Sequence, residues 1–134
     1  MSCAPRRSHP TVQSYLDAGG DVNAIDAETE WTLLHHAAEH TDLSLMDILV
    51  ARGLDLGARD FNGWTPLHVA VDSDIDGAIQ SKCIPTFLGS RRLLTLGAPL
   101  NAAANDGRKP REVAAAYGPG ILEMFDEMIA ELKR

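Results

Sequence analysis

Five histidines and one acidic run are the residues here whose types and spacing could do chemistry. His36 and His40 stand four apart, one helical turn, where two imidazoles would share a face and could begin a zinc site. Zinc takes three or four converging ligands, and neither Cys3, Cys83 nor a further His completes such a set at workable spacing. The acidic run Asp72-Ser73-Asp74-Ile75-Asp76-Gly77-Ala78-Ile79 matches the front of a calcium loop, D-x-D-x-D-G with an apolar residue at position eight. Position twelve should be a bidentate Glu and is Cys83. Asp72, Asp74 and Asp76 are therefore candidate ligands of a calcium site one ligand short, and otherwise belong to a solvated acidic loop. There is no G-x-S-x-G, no glycine-rich phosphate loop and no H-E-x-x-H. No catalytic residue and no cofactor are assigned, and an enzyme is not expected.

These side chains must be positioned by a chain of 134 residues and 14.5 kDa, which is one domain with a single core. Hydrophobic residues at 45% and charged residues at 23% exclude wholesale disorder. Aromatics are only 5%, so the core must be aliphatic and alanine-rich, which suits packed helices. The net charge of −7 argues against a nucleic-acid partner. No apolar run approaches the ~20 residues a bilayer needs, so no membrane span is expected. Arg6-Arg7 is followed by polar residues rather than an apolar stretch, which argues against a signal peptide. Cys3 and Cys83 lie far apart and read as free thiols in a reducing cytosol, giving a cytoplasmic expectation.

The chain repeats itself. Leu16-Asp17-Ala18-Gly19-Gly20-Asp21-Val22-Asn23-Ala24, Val50 to Ala58 and Leu94 to Ala102 end alike, each around a glycine. Asp60-Phe61-Asn62-Gly63-Trp64-Thr65-Pro66-Leu67-His68-Val69-Ala70 has a second copy in Trp31-Thr32-Leu33-Leu34-His35-His36-Ala37-Ala38, 33 residues earlier. Gly107-Arg108-Lys109-Pro110-Arg111-Glu112-Val113-Ala114 is a degenerate third copy. Threonine then proline opens a helix as N-cap and first helical residue, and Gly19, Gly53 and Gly97 close helices through a left-handed turn.

From about Thr11 onward the sequence resembles the ankyrin-repeat family, whose T-P-L-H-x-A start and G-A-D-V-N-A end are both visible. The resemblance implies an all-α solenoid of helix–turn–helix units joined by β-hairpin-like loops. Residues 8–25 are then an N-terminal half repeat, 26–59 and 60–103 full repeats, and 104–134 a C-terminal capping repeat. It also implies structural roles for Thr32, Thr65, His35 and His68, each imidazole bonding the hairpin turn and a neighbouring repeat. His36 should be partly packed and His40 exposed. Thr32 to Gly53 is 21 steps but Thr65 to Gly97 is 32, so eleven residues are inserted between the helices of the second repeat, within about 72–90. Leu33 stands in place of the proline, Glu30 of the glycine, and Lys109 and Glu112 of the Thr and His. The first hairpin is one residue longer than the second.

The resemblance implies a variable concave surface made of hairpin tips and the exposed side of each first helix. Mapped onto this chain, that surface holds Ile25, Glu28, Trp31, Glu39 and His40, then Arg59, Phe61, Asn62, Trp64, Asp72 and Ser73. In the cap it holds Ala103, Asn105, Asp106, Arg108, Ala116 and Tyr117. Trp31 and Trp64 occupy equivalent positions in adjacent units, and Trp, Tyr and Arg are the usual anchors of interfaces. The rings are expected to serve a partner, with stability nearly independent of them; the alternative is that each packs on its own hairpin. Residues 17–76 carry a net −11 and residues 77–111 a net +5, so an acidic first half could steer a basic partner. The expected function is therefore non-catalytic binding of another protein, with Trp31, Phe61, Trp64 and Tyr117 as anchors. An acidic rim of Glu28, Glu30, Glu39, Asp72, Asp74 and Asp76 would surround them. Such a small acidic protein, a monomer when free, suits an inhibitor or toxin-neutralising immunity protein of a basic target. The alternatives are a regulatory or scaffolding subunit, a calcium-responsive repeat module, and a structural unit from a longer array.

Overall fold

In each full unit the first helix starts where a threonine meets a histidine three residues on. The computed structural model describes residues 18–19, 25–83 and 85–133, so the half repeat read over residues 8–25 lies, apart from Ala18, Gly19 and Ile25, outside the described residues. The described helices are α1 (Leu33–Glu39), α2 (Leu43–Ala51), α3 (Pro66–Gln80), α4 (Leu88–Leu96), α5 (Pro110–Ala115) and α6 (Pro119–Leu132). Thr32 is the extended N-cap of α1 and its Oγ1 accepts from the His35 N–H at 3.4 Å. Thr65 is the N-cap of α3, with Pro66 next, where a missing N–H costs no hydrogen bond. Asp42 caps α2 by accepting from the Leu45 N–H at 3.1 Å. In α5, Glu112 at the third helical position reaches back to the Lys109 N–H at 3.4 Å, one half of a capping box. Gly53 (φ 91°) and Gly97 (φ 108°) form the left-handed turns after α2 and α4.

Helices pack within each pair and onto the matching helix of the next pair: α1 on α3 and α3 on α5 in one row, α2 on α4 and α4 on α6 in the other. This nearest-neighbour stacking makes a two-layer solenoid. Buried Ala37, Ala38, Ala70 and Ala114 line the row of first helices, and their small side chains let the helices approach closely. Leu34, Leu45, Met46, Leu49, Leu67, Ile75, Leu93 and Met128 fill the space between layers, each fully buried large aliphatic contributing about 1.5–3 kcal/mol. Among the described residues, Phe87 and Phe125 are the buried phenyl rings, edge to face with centroids 5.7 Å apart.

The extra residues of the second unit do not form a loop over Asp72–Ile79. They extend the first helix, so α3 has 15 residues where α1 has 7. α1 stops at His40, followed by left-handed Thr41 and the N-cap Asp42. After Ala70, by contrast, Val71, Ile75 and Ile79 recur at helical spacing, with Val71 and Ile75 fully buried. The helix runs to Ser81 and left-handed Lys82 (φ 57°) before the segment leading to α4. Cys83 is disulfide-bonded, which corrects its reading as a free thiol and removes that ground for a reducing cytosol. Cys3 lies outside the described residues. No helix among the described residues is long and apolar enough to cross a membrane.

Candidate functional site

The hairpin ahead of each first helix closes on itself and then joins the next. In the first, the Asp26 N–H donates to the Trp31 carbonyl at 2.9 Å; in the second, the Asp60 N–H donates to Trp64 at 2.9 Å; in the third, Ala104 donates to Arg108 at 2.7 Å. The first therefore spans one residue more. Its left-handed position falls on Glu30 (φ 61°), where the other hairpins have Gly63 (φ 79°) and Gly107 (φ 87°). Neighbouring tips are linked by Phe61 N–H to the Thr29 carbonyl (3.0 Å) and Asn105 N–H to the Asn62 carbonyl (3.0 Å). The Asn105 side-chain amide adds a bond to the Phe61 carbonyl (3.0 Å), and the Arg59 guanidinium one to the Ala103 carbonyl. Gly63 is required twice, for its positive φ and because a Cβ there would stand 2.6 Å from the Asn105 nitrogen.

Two buried histidines lock this ladder to the helices. His35 Nδ1 accepts from the Thr32 N–H (3.1 Å) and His68 Nδ1 from the Thr65 N–H (3.1 Å). The opposite nitrogens donate to carbonyls of the next hairpin, His35 Nε2 to Trp64 (2.8 Å) and His68 Nε2 to Arg108 (2.9 Å). One nitrogen accepts and the other donates, so both rings are neutral with the proton on Nε2. Burial pushes both imidazoles below their ordinary pKa, only partly opposed by the carbonyl bonds. The rings are thus structural pins with no spare nitrogen for a metal. Among the described residues no group of three or more His, Cys, Asp or Glu could hold a metal ion.

Between the first two tips lies a cleft of about 360 Å³, lined by Glu28, Thr29, Trp31, Asp60, Phe61, Asn62 and Trp64. Trp31 and Trp64 are half-buried, and each stacks on the histidine of its own unit, with centroids 5.9 Å and 5.7 Å apart. His36 meets the Trp31 ring edge to face at 5.0 Å. Both tryptophans therefore pack on their own hairpins and also wall the cleft. Phe61 stands at its lip, 68% exposed. Asp60, buried at the floor of the tip, organises the rest: Oδ1 accepts from the Asn62 and Trp64 N–H groups (2.8 and 2.9 Å), and Oδ2 from Trp31 Nε1 (2.8 Å). Asp60 and Thr29 were not singled out from the sequence as site residues. The signal for Asp60 was its place two residues before Asn62-Gly63, a turn in which an aspartate bonds the backbone ahead of it.

The remaining sequence candidates lie elsewhere. Ser73 Oγ donates to the Glu39 carbonyl at 2.5 Å, tying α3 to α1, and half-buried His40 forms the C-cap of α1. The Tyr117 hydroxyl donates to Asp72 Oδ1 at 2.6 Å. Burial and that carboxylate hold the phenol well above its ordinary pKa. Arg108 pairs with Asp106 at 3.3 Å, both exposed.

The calcium-loop reading of Asp72, Asp74 and Asp76 is corrected by α3. Alternate residues of a helix are turned by about 200° from one another, so Asp74 faces away from Asp72 and Asp76, which share a face. Asp72 meets Tyr117, Asp76 accepts from the Gln80 amide (2.7 Å), and Asp74 takes the N–H and hydroxyl of Ser90 at 3.0 and 2.8 Å. The solvated-loop alternative is corrected on the same ground. The basic stretch is partly paired, once with the acidic first half and twice with the C-terminal helix. Arg91 pairs with Glu131 (2.9 Å), Arg92 with Asp47, and Arg111 with Asp126 through two bonds of 2.9 and 3.0 Å.

Stacked helix pairs with hairpin tips joined edge to edge define a helical repeat solenoid, a class whose function resides on a composite surface rather than in an enclosed pocket. The chain belongs to the ankyrin-repeat family: a family model for ankyrin repeats, in three copies, matches residues 1–89. It is similar to mouse protein phosphatase 1 regulatory subunit 27, 35% identical over 92 residues, which are 69% of this chain and 53% of that protein. It is also similar to the Arabidopsis thaliana E3 ubiquitin-protein ligase KEG, 28% identical over 99% of this chain but only 8% of the ligase. Mouse ankyrin repeat and SOCS box protein 6 is 30% identical over 79% of this chain and 23% of its own length. The chain thus spans about half or less of each of these relatives.

Proposed function

We propose that the chain is a non-catalytic binding module, a monomer when free, that engages another protein through the cleft between its first two hairpin tips. The observation that supports this is Phe61: a large apolar side chain 68% exposed at the lip of a cleft walled by Trp31 and Trp64. A solvent-facing aromatic on a rigid tip is the type of residue that anchors interfaces. In this reading residues 26–59, 60–103 and 104–134 are successive units after an N-terminal half unit over 8–25, and the partner contact is concentrated where the first two full units meet. The mechanism is occlusion or scaffolding, as an inhibitor of a basic target (an immunity protein among the possible forms) or as a regulatory subunit. Relatives named as regulatory subunits of protein phosphatase 1 favour the regulatory form.

The test is cross-linked affinity capture from the source cell, with the cross-linked peptides mapped onto the chain. The partner should cross-link at the tips over residues 28–31 and 60–64, and Phe61→Ser should lose it while melting at an unchanged temperature. Undiminished capture by that variant would place the interface elsewhere. Purified protein phosphatase 1 catalytic subunit, added as a defined partner, tests the regulatory form directly.

A further inference from the structure

The chemistry of the cleft goes further than the presence of an interface. At about 360 Å³ it sits at the low end of ligand-site volumes, room for a side chain or two rather than for a large ligand. Its walls are two indole rings and Phe61, and its charged lining groups are Glu28 and Asp60, both acidic. Among the described residues no arginine or lysine lines it. Among the described residues no salt bridge satisfies either carboxylate. The basic residue next to Asp60 in sequence, Arg59, is held on the Ala103 carbonyl. Asp60 spends its oxygens on three N–H donors, which fix its position beneath the cleft without cancelling its charge. Glu28 is exposed, and its own N–H bonds the Asp26 carboxylate at 2.8 Å, which holds a further acid in the same hairpin. An aromatic wall with carboxylates and no cation among its described lining residues is complementary to a positively charged side chain with an aliphatic stem.

We propose that the cleft formed by Trp31, Trp64, Phe61, Glu28 and Asp60 takes a lysine or arginine side chain presented by the partner protein. The aliphatic stem lies along the aromatic wall and the cationic head meets the Glu28 and Asp60 charges. This rests on the cleft being the partner-binding surface and adds what enters it. A rim charge of this kind acts on encounter rate and selectivity as well as affinity, because acidic segments are repelled.

The experiment uses the full chain, labelled with nitrogen-15, and four blocked tripeptides with arginine, lysine, citrulline or norleucine at the centre. The side-chain N–H signals of Trp31 and Trp64 and the amides of Phe61 and Asn62 report occupancy. Arginine or lysine peptide should shift these signals at least about fivefold more tightly than its neutral counterpart, and the stronger of the two identifies the preferred head group. Added salt and Glu28→Gln should each weaken cation binding by about threefold. Glu28 is exposed, so its replacement keeps the fold. Norleucine binding as tightly as lysine, or no shift from either cationic peptide, would overturn the proposal. The two readings fail separately. If Phe61→Ser loses the native partner but the peptides show no charge preference, only the cationic occupant is wrong. If that variant still captures the partner, the interface itself is misplaced.

Discussion

Asp60 is the residue that turns two adjacent hairpins into one surface. A carboxylate that joins a backbone turn to an indole from the preceding unit couples the order of both tips. Against the expectation that the tryptophans could be removed with little loss of stability, the bond from Trp31 to Asp60 predicts a cost at Trp31. Trp31→Phe keeps most of the ring but leaves Asp60 Oδ2 without its 2.8 Å donor in a residue only 9% exposed. It should cost about 1–2 kcal/mol in urea unfolding; an unchanged midpoint would show that Asp60 finds water instead. At this scale the sequence was informative wherever one residue type has one use. Thr32, Thr65, His35 and His68 were legible through the resemblance to the ankyrin repeat, whose T-P-L-H start they occupy, and each imidazole makes the two bonds that resemblance implies. The walls of the cleft were legible too, but its Asp60 floor was not, because the bond to Trp31 joins residues 29 positions apart that meet only after the units stack.

At the scale of the element, the lengthening of α3 creates a dependence of α4 on it. The N-cap of α4 is Phe87 in a left-handed conformation with no side-chain bond to the helix. Asp74 supplies the missing acceptor from the neighbouring helix, on the Ser90 N–H at 3.0 Å. Burial pushes the Asp74 carboxyl up to about 6 against the hydrogen bonds from Ser90, Gly89 and Thr41. The folded state thus holds this proton more tightly than the unfolded chain. The resulting stability is fully present below the ordinary value of 3.8 and is lost as pH rises through about 6. Asp74→Asn removes that term while keeping a carbonyl acceptor. The variant should gain on the native chain, between about pH 4 and pH 7, by on the order of 2 kcal/mol, read as the difference of urea midpoints. A constant difference across that range would mean the carboxylate is solvated in the fold. Sequence reading placed the insertion but not its form. Acidic residues at alternate positions look like a loop until Val71 and Ile75 are seen to be buried on one helical face, and only packing on α4 decides between the two patterns.

For the whole molecule, stability is carried by contacts between neighbouring units, and the histidine pins cross two successive junctions. Both imidazoles are held below their ordinary pKa by burial. Their stabilisation is therefore complete above the unfolded value of about 6.5 and is lost as pH falls through the lower, folded value. In native protein this acid loss opposes the Asp74 term. In the Asp74→Asn background the urea midpoint should fall between about pH 7.5 and pH 5.5, and protection of the Trp64 and Arg108 hairpins from hydrogen exchange should fall with it. A midpoint that does not move would mean that the rings accept a proton without losing their bonds. Charge behaves differently from the sequence reading at this scale. The −11 and +5 stretches are cross-linked by Arg92–Asp47 between α4 and α2, while Arg91–Glu131 and Arg111–Asp126 join helices within the C-terminal part. Exposed pairs of this kind contribute little stability, but they shorten the range of any acidic field, leaving the cleft carboxylates as the local one.

The sequence by itself determined the helical repeat and its capping chemistry, because threonine, proline, histidine and glycine act locally and recur at the period of the unit. It also marked Trp31, Phe61 and Trp64 as companions, since equivalent positions in a stacked repeat face the same way. Only the tertiary structure decided that the acidic insertion is a helix, that its three aspartates serve three different partners, and that Asp60 binds the Trp31 indole. Apart from the local Asp76–Gln80 bond, those outcomes depend on which surfaces meet after stacking, and contacts between residues 16 to 45 positions apart leave no periodic mark on the chain.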